Sequence, residues 1–157
     1  MIITLTGHKN CGKDNIAYKL SKNSGVSYIH PYTDRPVPEY MEAEELDADY
    51  NFVSSEKLDK MMDHLDVVSV TLINGHRYVF FERQLTAPYN VMIVDDYALA
   101  DIKDQWSGRL YSVRVKSKNE VESNRIGEYF YEHEFDEVFN YDSDDVDELE
   151  ARISYVY

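Results

Sequence analysis

Gly7-His8-Lys9-Asn10-Cys11-Gly12-Lys13-Asp14 constrains this chain more than any other stretch, because of what flanks it. Before it runs Ile2-Ile3-Thr4-Leu5-Thr6, short, apolar and rich in β-branched residues, which reads as a buried strand. After it, Ile16, Ala17 and Leu20 fall on one helical face from Lys13 to about Lys22, and Asn23-Ser24-Gly25 stops the helix. A G-x-x-x-x-G-K spacing between a strand and a helix lets backbone N–H groups turn inward at a helix N-terminus, where the field is positive. Such a loop cradles phosphate, and Lys13 reaches the terminal phosphates. His8, Lys9 and Asn10 fill the loop, and Cys11 reads as a small filler. Asp14 stands where Ser or Thr normally contacts Mg²⁺. A carboxylate is a good hard ligand for that ion, but it also sets negative charge beside phosphate, so a loop that has lost its nucleotide stays an alternative.

Strands and helices alternate through the rest. Val26–Ile29, Tyr50–Val53, Val67–Ile73, Arg77–Phe81, Asn90–Asp95, Arg109–Val115 and Glu137–Tyr141 read as strands. Asn74-Gly75 marks a hairpin. Helices are expected around Glu56–His64 with Ser54 or Ser55 as cap, over Ala98–Trp106, from Ser117-Lys118-Asn119-Glu120, and from an Asp142-Ser143-Asp144 cap to about Ile153. Residues 31–49, with three prolines and an acidic run, read as an exposed segment outside any sheet. Alternation predicts an α/β three-layer sandwich with a central parallel sheet, interrupted by an inserted subdomain.

Charge narrows the function. Sixteen Lys and Arg against 30 Asp and Glu give −14, which argues against nucleic acid and anionic membranes as partners. Residues 1–38 run the other way, with five cations (Lys9, Lys13, Lys19, Lys22, Arg35) against Asp14 and Asp34, so an anion site belongs near the N-terminus. The 157 residues fit one domain. No apolar run spans a bilayer, no leader pattern opens the chain, and the single cysteine forms no internal disulfide, so a reduced, cytoplasmic setting is expected.

Two blocks resemble a known family. Gly7 to Ala17 is similar to the G-x-K-x-x-G-K-D-T-x-A loop of bacteriophage deoxynucleoside monophosphate kinases and of animal-type phosphomevalonate kinases, with Asn15 in place of Thr. Tyr32-Thr33-Asp34-Arg35-Pro36 and Asp49-Tyr50-Asn51-Phe52-Val53-Ser54 resemble the T-T-R-x-P-R and D-Y-x-F-V-S signatures of guanylate kinases. Asn74–Tyr78 and Phe135–Asn140 resemble two later steps of that family.

The resemblance implies a P-loop NTPase core (1–30 and 86–157), a nucleoside-monophosphate-binding subdomain (about 31–85) and a short lid (about 117–134). It implies ATP and Mg²⁺ as cofactors, with Gly7 to Asn15 holding the nucleotide and Asp14 and Asp95 the metal. The partner would be a nucleoside or deoxynucleoside monophosphate, GMP and dGMP among the candidates. Arg35 would hold its phosphate with Tyr50 and Tyr78, while Asp95 or Asp96 would support Mg²⁺ or the acceptor sugar.

Lys13, Arg35 and a lid arginine would share the charge of the transferred phosphoryl group. Arg125 is the first candidate for that arginine, against a plain surface residue, and Arg114 the second. The family's second phosphate arginine falls at Pro38, its base-reading glutamate at Ser69 and a further serine at Phe80. A guanylate kinase-like binding module without catalysis and a kinase of another phosphorylated metabolite are the alternatives. The protein would be a monomer or homodimer, in the host cytoplasm if phage-encoded.

Overall fold

The computed structural model describes residues 1–38, 50–119 and 135–156. The acidic run at 39–49, Arg125 and most of the expected lid lie outside the described residues.

Five strands build the main sheet: β1 (Ile2–Thr6), β2 (Val26–Ile29), β7 (Tyr89–Ile93), β8 (Leu110–Lys116) and β9 (Glu137–Asn140), in the order β2-β7-β1-β8-β9. Every pairing is parallel. All five residues of the central β1 are buried, as expected when helices cover both faces of a parallel sheet. Helices α1 (Lys13–Leu20) and α4 (Val146–Val156) cover one face, where Ile16, Ala17, Leu20, Leu149 and Ile153 pack on Ile3, Leu5, Val91 and Val113. Helix α3 (Asp96–Gln105) covers the other, setting Ala98, Leu99 and Ile102 against Ile2, Met92 and Val94. Val68 and Phe80 join this second core and anchor the inserted segment to the sheet.

That insertion is a four-stranded sheet, β4-β3-β6-β5, with one helix, α2 (Ser55–His64). Its strands are β3 (Tyr32–Thr33), β4 (Asn51–Phe52), β5 (Val67–Ile73) and β6 (His76–Phe81). Asn74 and Gly75 both take positive φ, 51° and 79°, the geometry a two-residue hairpin needs. Period-2 alternation splits β6 between two layers. Val79 and Phe81 pack with Leu58 of α2, while Phe80 points into the main core. The Ser54 hydroxyl accepts from the Lys57 N–H at 3.1 Å and so caps α2.

Several expectations need correction. Tyr32-Thr33 is a strand and Thr33 is fully buried, although prolines and acids suggested a segment outside any sheet. Its partners, Asn51-Phe52 and Tyr78-Val79, are supplied from far along the chain. Ser117 leads into a turn at Lys118-Asn119, its hydroxyl accepting the Asn119 N–H, and the rest of the helix expected there lies outside the described residues. α4 begins after Asp145 because the earlier aspartates are engaged elsewhere. Asp142 accepts from the Lys118 N–H and Asp144 from the Asn140 N–H, leaving Asp145 to take the Asp147 N–H. β7 ends at Ile93, because Asp95 caps α3 by accepting the Ala98 N–H at 2.8 Å.

A polar clamp fastens the insertion. Asp34, 6% exposed, accepts the Arg77 backbone N–H at 2.8 Å, Arg77 Nε at 2.9 Å and the Ser55 hydroxyl at 2.8 Å, while Arg77 also pairs with Asp59. Burial alone would raise the Asp34 carboxyl pKa, but these donors outweigh it and hold the value below the usual carboxylate range. A depressed pKa stabilises above the unfolded value near 4 and ceases to as pH falls through the folded one. Asp34→Asn should therefore cost about 1–3 kcal/mol at pH 7. Its melting curve should converge on the wild type only as pH falls through the depressed folded value, below the usual carboxylate range, and parallel melts from neutral to acid pH check this.

Candidate nucleotide-binding site

The loop between β1 and α1 has the shape its sequence requires. Gly12 takes φ +96° and opens α1 with no side-chain cap, leaving first-turn N–H groups facing the loop. Lys13 Nζ lies over this loop, donating to the carbonyls of Gly7 and, at 3.3 Å, His8. An arriving phosphate oxygen would take over those donors. Cys11 is fully buried, as a filler residue would be. Lys9, Asn10, Asp14 and Asn15 are exposed around the loop.

Asp14 turns toward β2, where the Tyr28 hydroxyl donates to it at 3.1 Å. It lines a groove of about 600 Å³ between α1 and β2, with Tyr18, Ser21 and His30. That groove lies along the flank of α1, and of the loop residues only Asp14 reaches it.

Tyr141 is a contact the sequence did not announce. Its ring lies against Gly12, so close that a Cβ there would sit within 2.7 Å of ring carbons, and its hydroxyl accepts from Asn15 Nδ2. The two residues are 126 positions apart, and no local pattern ties them.

A second constellation sits on the inserted sheet. The Arg35 guanidinium lies over the rings of Tyr50, 4.8 Å from its centroid, and Phe52, at 5.5 Å. Tyr50 meets Tyr78 edge-on at 5.6 Å. The Arg35 backbone N–H donates to Thr33 Oγ1 at 3.1 Å. Arg35 Nε is buried with no hydrogen-bond partner among the described residues. A guanidinium held over two aromatic rings, with a donor to spare, is a prepared anion contact.

These two groups are linked through the core. Leu5 at the end of β1 accepts the Val94 N–H at 3.1 Å, holding the β7 terminus beside the phosphate loop. Asp95, one residue on, accepts from Thr71 Oγ1 at 3.4 Å. Thr71 is the cross-strand partner of Tyr78, which touches Tyr50, which carries Arg35. A continuous path of contacts therefore runs from the phosphate loop to the arginine.

Ser69 lies two pairs further along, opposite Phe80; it is 2% exposed and its Oγ has no partner among the described residues. Asp96 stands in the first turn of α3, partly buried. Arg114, read above as a lid candidate, is instead buried in β8 at 3% exposure, its guanidinium donating to the Val115 carbonyl.

Among the described residues no three His, Cys, Asp or Glu side chains converge as a ready metal cage. Mg²⁺ does not require one, since it keeps waters and takes one or two carboxylates plus substrate phosphates. Asp14, adjoining Lys13 but turned toward Tyr28, and Asp95, at the start of α3, are carboxylates of that kind. No helix among the described residues is long and apolar enough to cross a membrane.

The order of the parallel sheet, the loop after its central strand and the inserted second sheet define the P-loop fold of nucleotide kinases. The chain shares this fold with a guanylate kinase from Anaplasma phagocytophilum, at a TM-score of 0.63 and 13% identity over 99% of this chain and 83% of that one. No family model and no curated protein sequence matches the chain.

Proposed function

We propose that the protein is a nucleoside or deoxynucleoside monophosphate kinase that transfers the γ-phosphoryl group of ATP to the phosphate of its acceptor. The observation that carries this reading is the path joining two anion-ready cations, Lys13 in the loop and Arg35 on the inserted sheet. A phosphate donor and a phosphate acceptor each need one. In the transfer, an oxygen of the acceptor phosphate bonds to the γ-phosphorus while the bond to the β–γ bridging oxygen breaks, releasing ADP. The attacking oxygen is already anionic, so the chain need not supply a strong base.

Loop N–H groups and Lys13 would hold the triphosphate. Arg35, Tyr50 and Tyr78 would hold the monophosphate in line. Mg²⁺, held by Asp14 and Asp95 with the phosphates, would neutralise developing charge. Arg125 would add a lid contact. Residues 31–85 would form the acceptor-binding unit. The acceptor base is left open: Ser69 offers a hydroxyl where a guanine reader would offer a carboxylate, and Phe80 is spent on the core.

The test is ADP release from Mg·ATP against a panel of NMPs and dNMPs. Turnover with one or a few acceptors supports the kinase; no turnover with any of them favours a non-catalytic binding module. Arg35→Ala should raise the acceptor KM by about 10–100-fold and leave the ATP KM within about twofold. Arg35→Lys should recover little, because it loses the planar fork and the ring stacking. Initial rates with either substrate varied will show the split.

A further inference from the structure

Arg114 is charged, buried and unused by the reading above. A Cβ added to Gly7 would lie 2.7 Å from Arg114 Nη1, 2.7 Å from Cys11 Sγ and 2.5 Å from the Val115 carbonyl oxygen. The guanidinium therefore touches the first residue of the phosphate loop from within the sheet. Its register partner across β1 is Thr6, also fully buried, whose hydroxyl has no partner among the described residues. On the same face the next register pair is Thr4 with Ser112, both buried, and beyond it lie Ile2 and Leu110 of the apolar core.

Burying a guanidinium sacrifices much of its hydration. If filling space were the only task, Met or Leu would do it at lower cost. The chain carries −14 overall, yet it places a permanent cation at this point. What the position has that an apolar side chain lacks is charge, held rigidly beside the turn where a polyphosphate would sit.

We propose that Arg114 is a positioning residue of the phosphate loop. Its guanidinium braces the Gly7 turn and supplies fixed positive charge that a bound polyphosphate draws on. The inference rests on the nucleotide reading above and extends it: part of the charge compensation is built into strand β8, not confined to Lys13 and Arg125. In a site of low dielectric a cation need not touch the anion to favour it.

The test uses the full chain with two probes, tripolyphosphate and Mg·ATP, by isothermal titration calorimetry. Arg114→Gln keeps a hydrogen-bond donor and similar reach but removes the charge. Arg114→Lys keeps the charge and loses the fork. Folded Arg114→Gln should bind both probes at least about tenfold more weakly, with the ATP KM raised more than kcat is lowered. Arg114→Lys should stay within about fivefold of wild type.

A purely structural arginine would lower the melting temperature of both variants and leave the affinity of the folded protein unchanged, and that result overturns the inference. If Arg114→Gln does not fold, Arg114→Lys decides: a loss beyond fivefold in a folded protein overturns the charge role. Wild type that binds neither probe at millimolar concentration overturns the nucleotide reading itself, a result separable from the others because it needs no variant.

Discussion

Lys13→Ala should abolish the proposed phosphoryl transfer, lowering kcat/KM by about 10³-fold or more. The expectation follows from where the ammonium lies. Its Nζ bridges the carbonyls of Gly7 and His8, so it is held over the loop before any substrate arrives. No other Lys or Arg of the loop is placed this way, since Lys9 is exposed. The same variant will lose the stabilisation that Mg·ATP gives the wild type. Ligand at about 100 times Kd adds about 2.7 kcal/mol to a native state, which for a domain of this size is a rise in Tm of roughly 5–10 °C. Lys13→Ala should show under about 2 °C. Its own melting point should stay close to wild type, because the side chain is only partly buried. A folded Lys13→Ala protein with undiminished turnover would sink the mechanism.

How much of this was legible in the sequence depended on how local the cause is. The phosphate loop was legible because strand, glycines, lysine and helix lie within about twenty residues. The Asn74-Gly75 hairpin was legible because two positive φ angles demand such residues. The acids after β7 were legible as a feature, but their first task is different: Asp95 caps a helix and accepts from Thr71.

β3 was hidden because two residues beside prolines carry no periodicity. Thr33 is buried only because β4 and β6 flank it. Arg114 misled for a related reason. Alternation along β8 puts Ser112 and Arg114 on one face, and polar residues on one face ordinarily signal solvent. Both are buried, Ser112 because Asp136 accepts its N–H and hydroxyl, Arg114 because it reaches the loop. Tyr141 against Gly12 has no sequence signal, since only the parallel order β1-β8-β9 returns that turn to the loop.

Gly7→Ala will be the most damaging of the loop glycine substitutions, ahead of Gly12→Ala and well ahead of Gly75→Ala, and the ranking separates two causes. Gly75 takes φ +79° in open space, so alanine there meets only the cost of left-handed backbone, about 1 kcal/mol. Gly12 adds an obstacle to a similar φ, but the obstacle is the Tyr141 ring, a side chain that can turn aside. Its cost should reach about 2–3 kcal/mol, and the Asn15–Tyr141 contact should break with it.

Gly7 needs no unusual φ. Its new methyl would meet the Val115 carbonyl oxygen at 2.5 Å, and that oxygen belongs to the backbone of β8 beside the central strand. It cannot yield without opening the β1–β8 pairing, so overpacking here should exceed about 3 kcal/mol. Urea denaturation of the three variants measures this order. If Gly7→Ala proved no worse than Gly75→Ala, β1 and β8 would not approach each other closely at the loop, and the seat described for Arg114 would be lost with that approach.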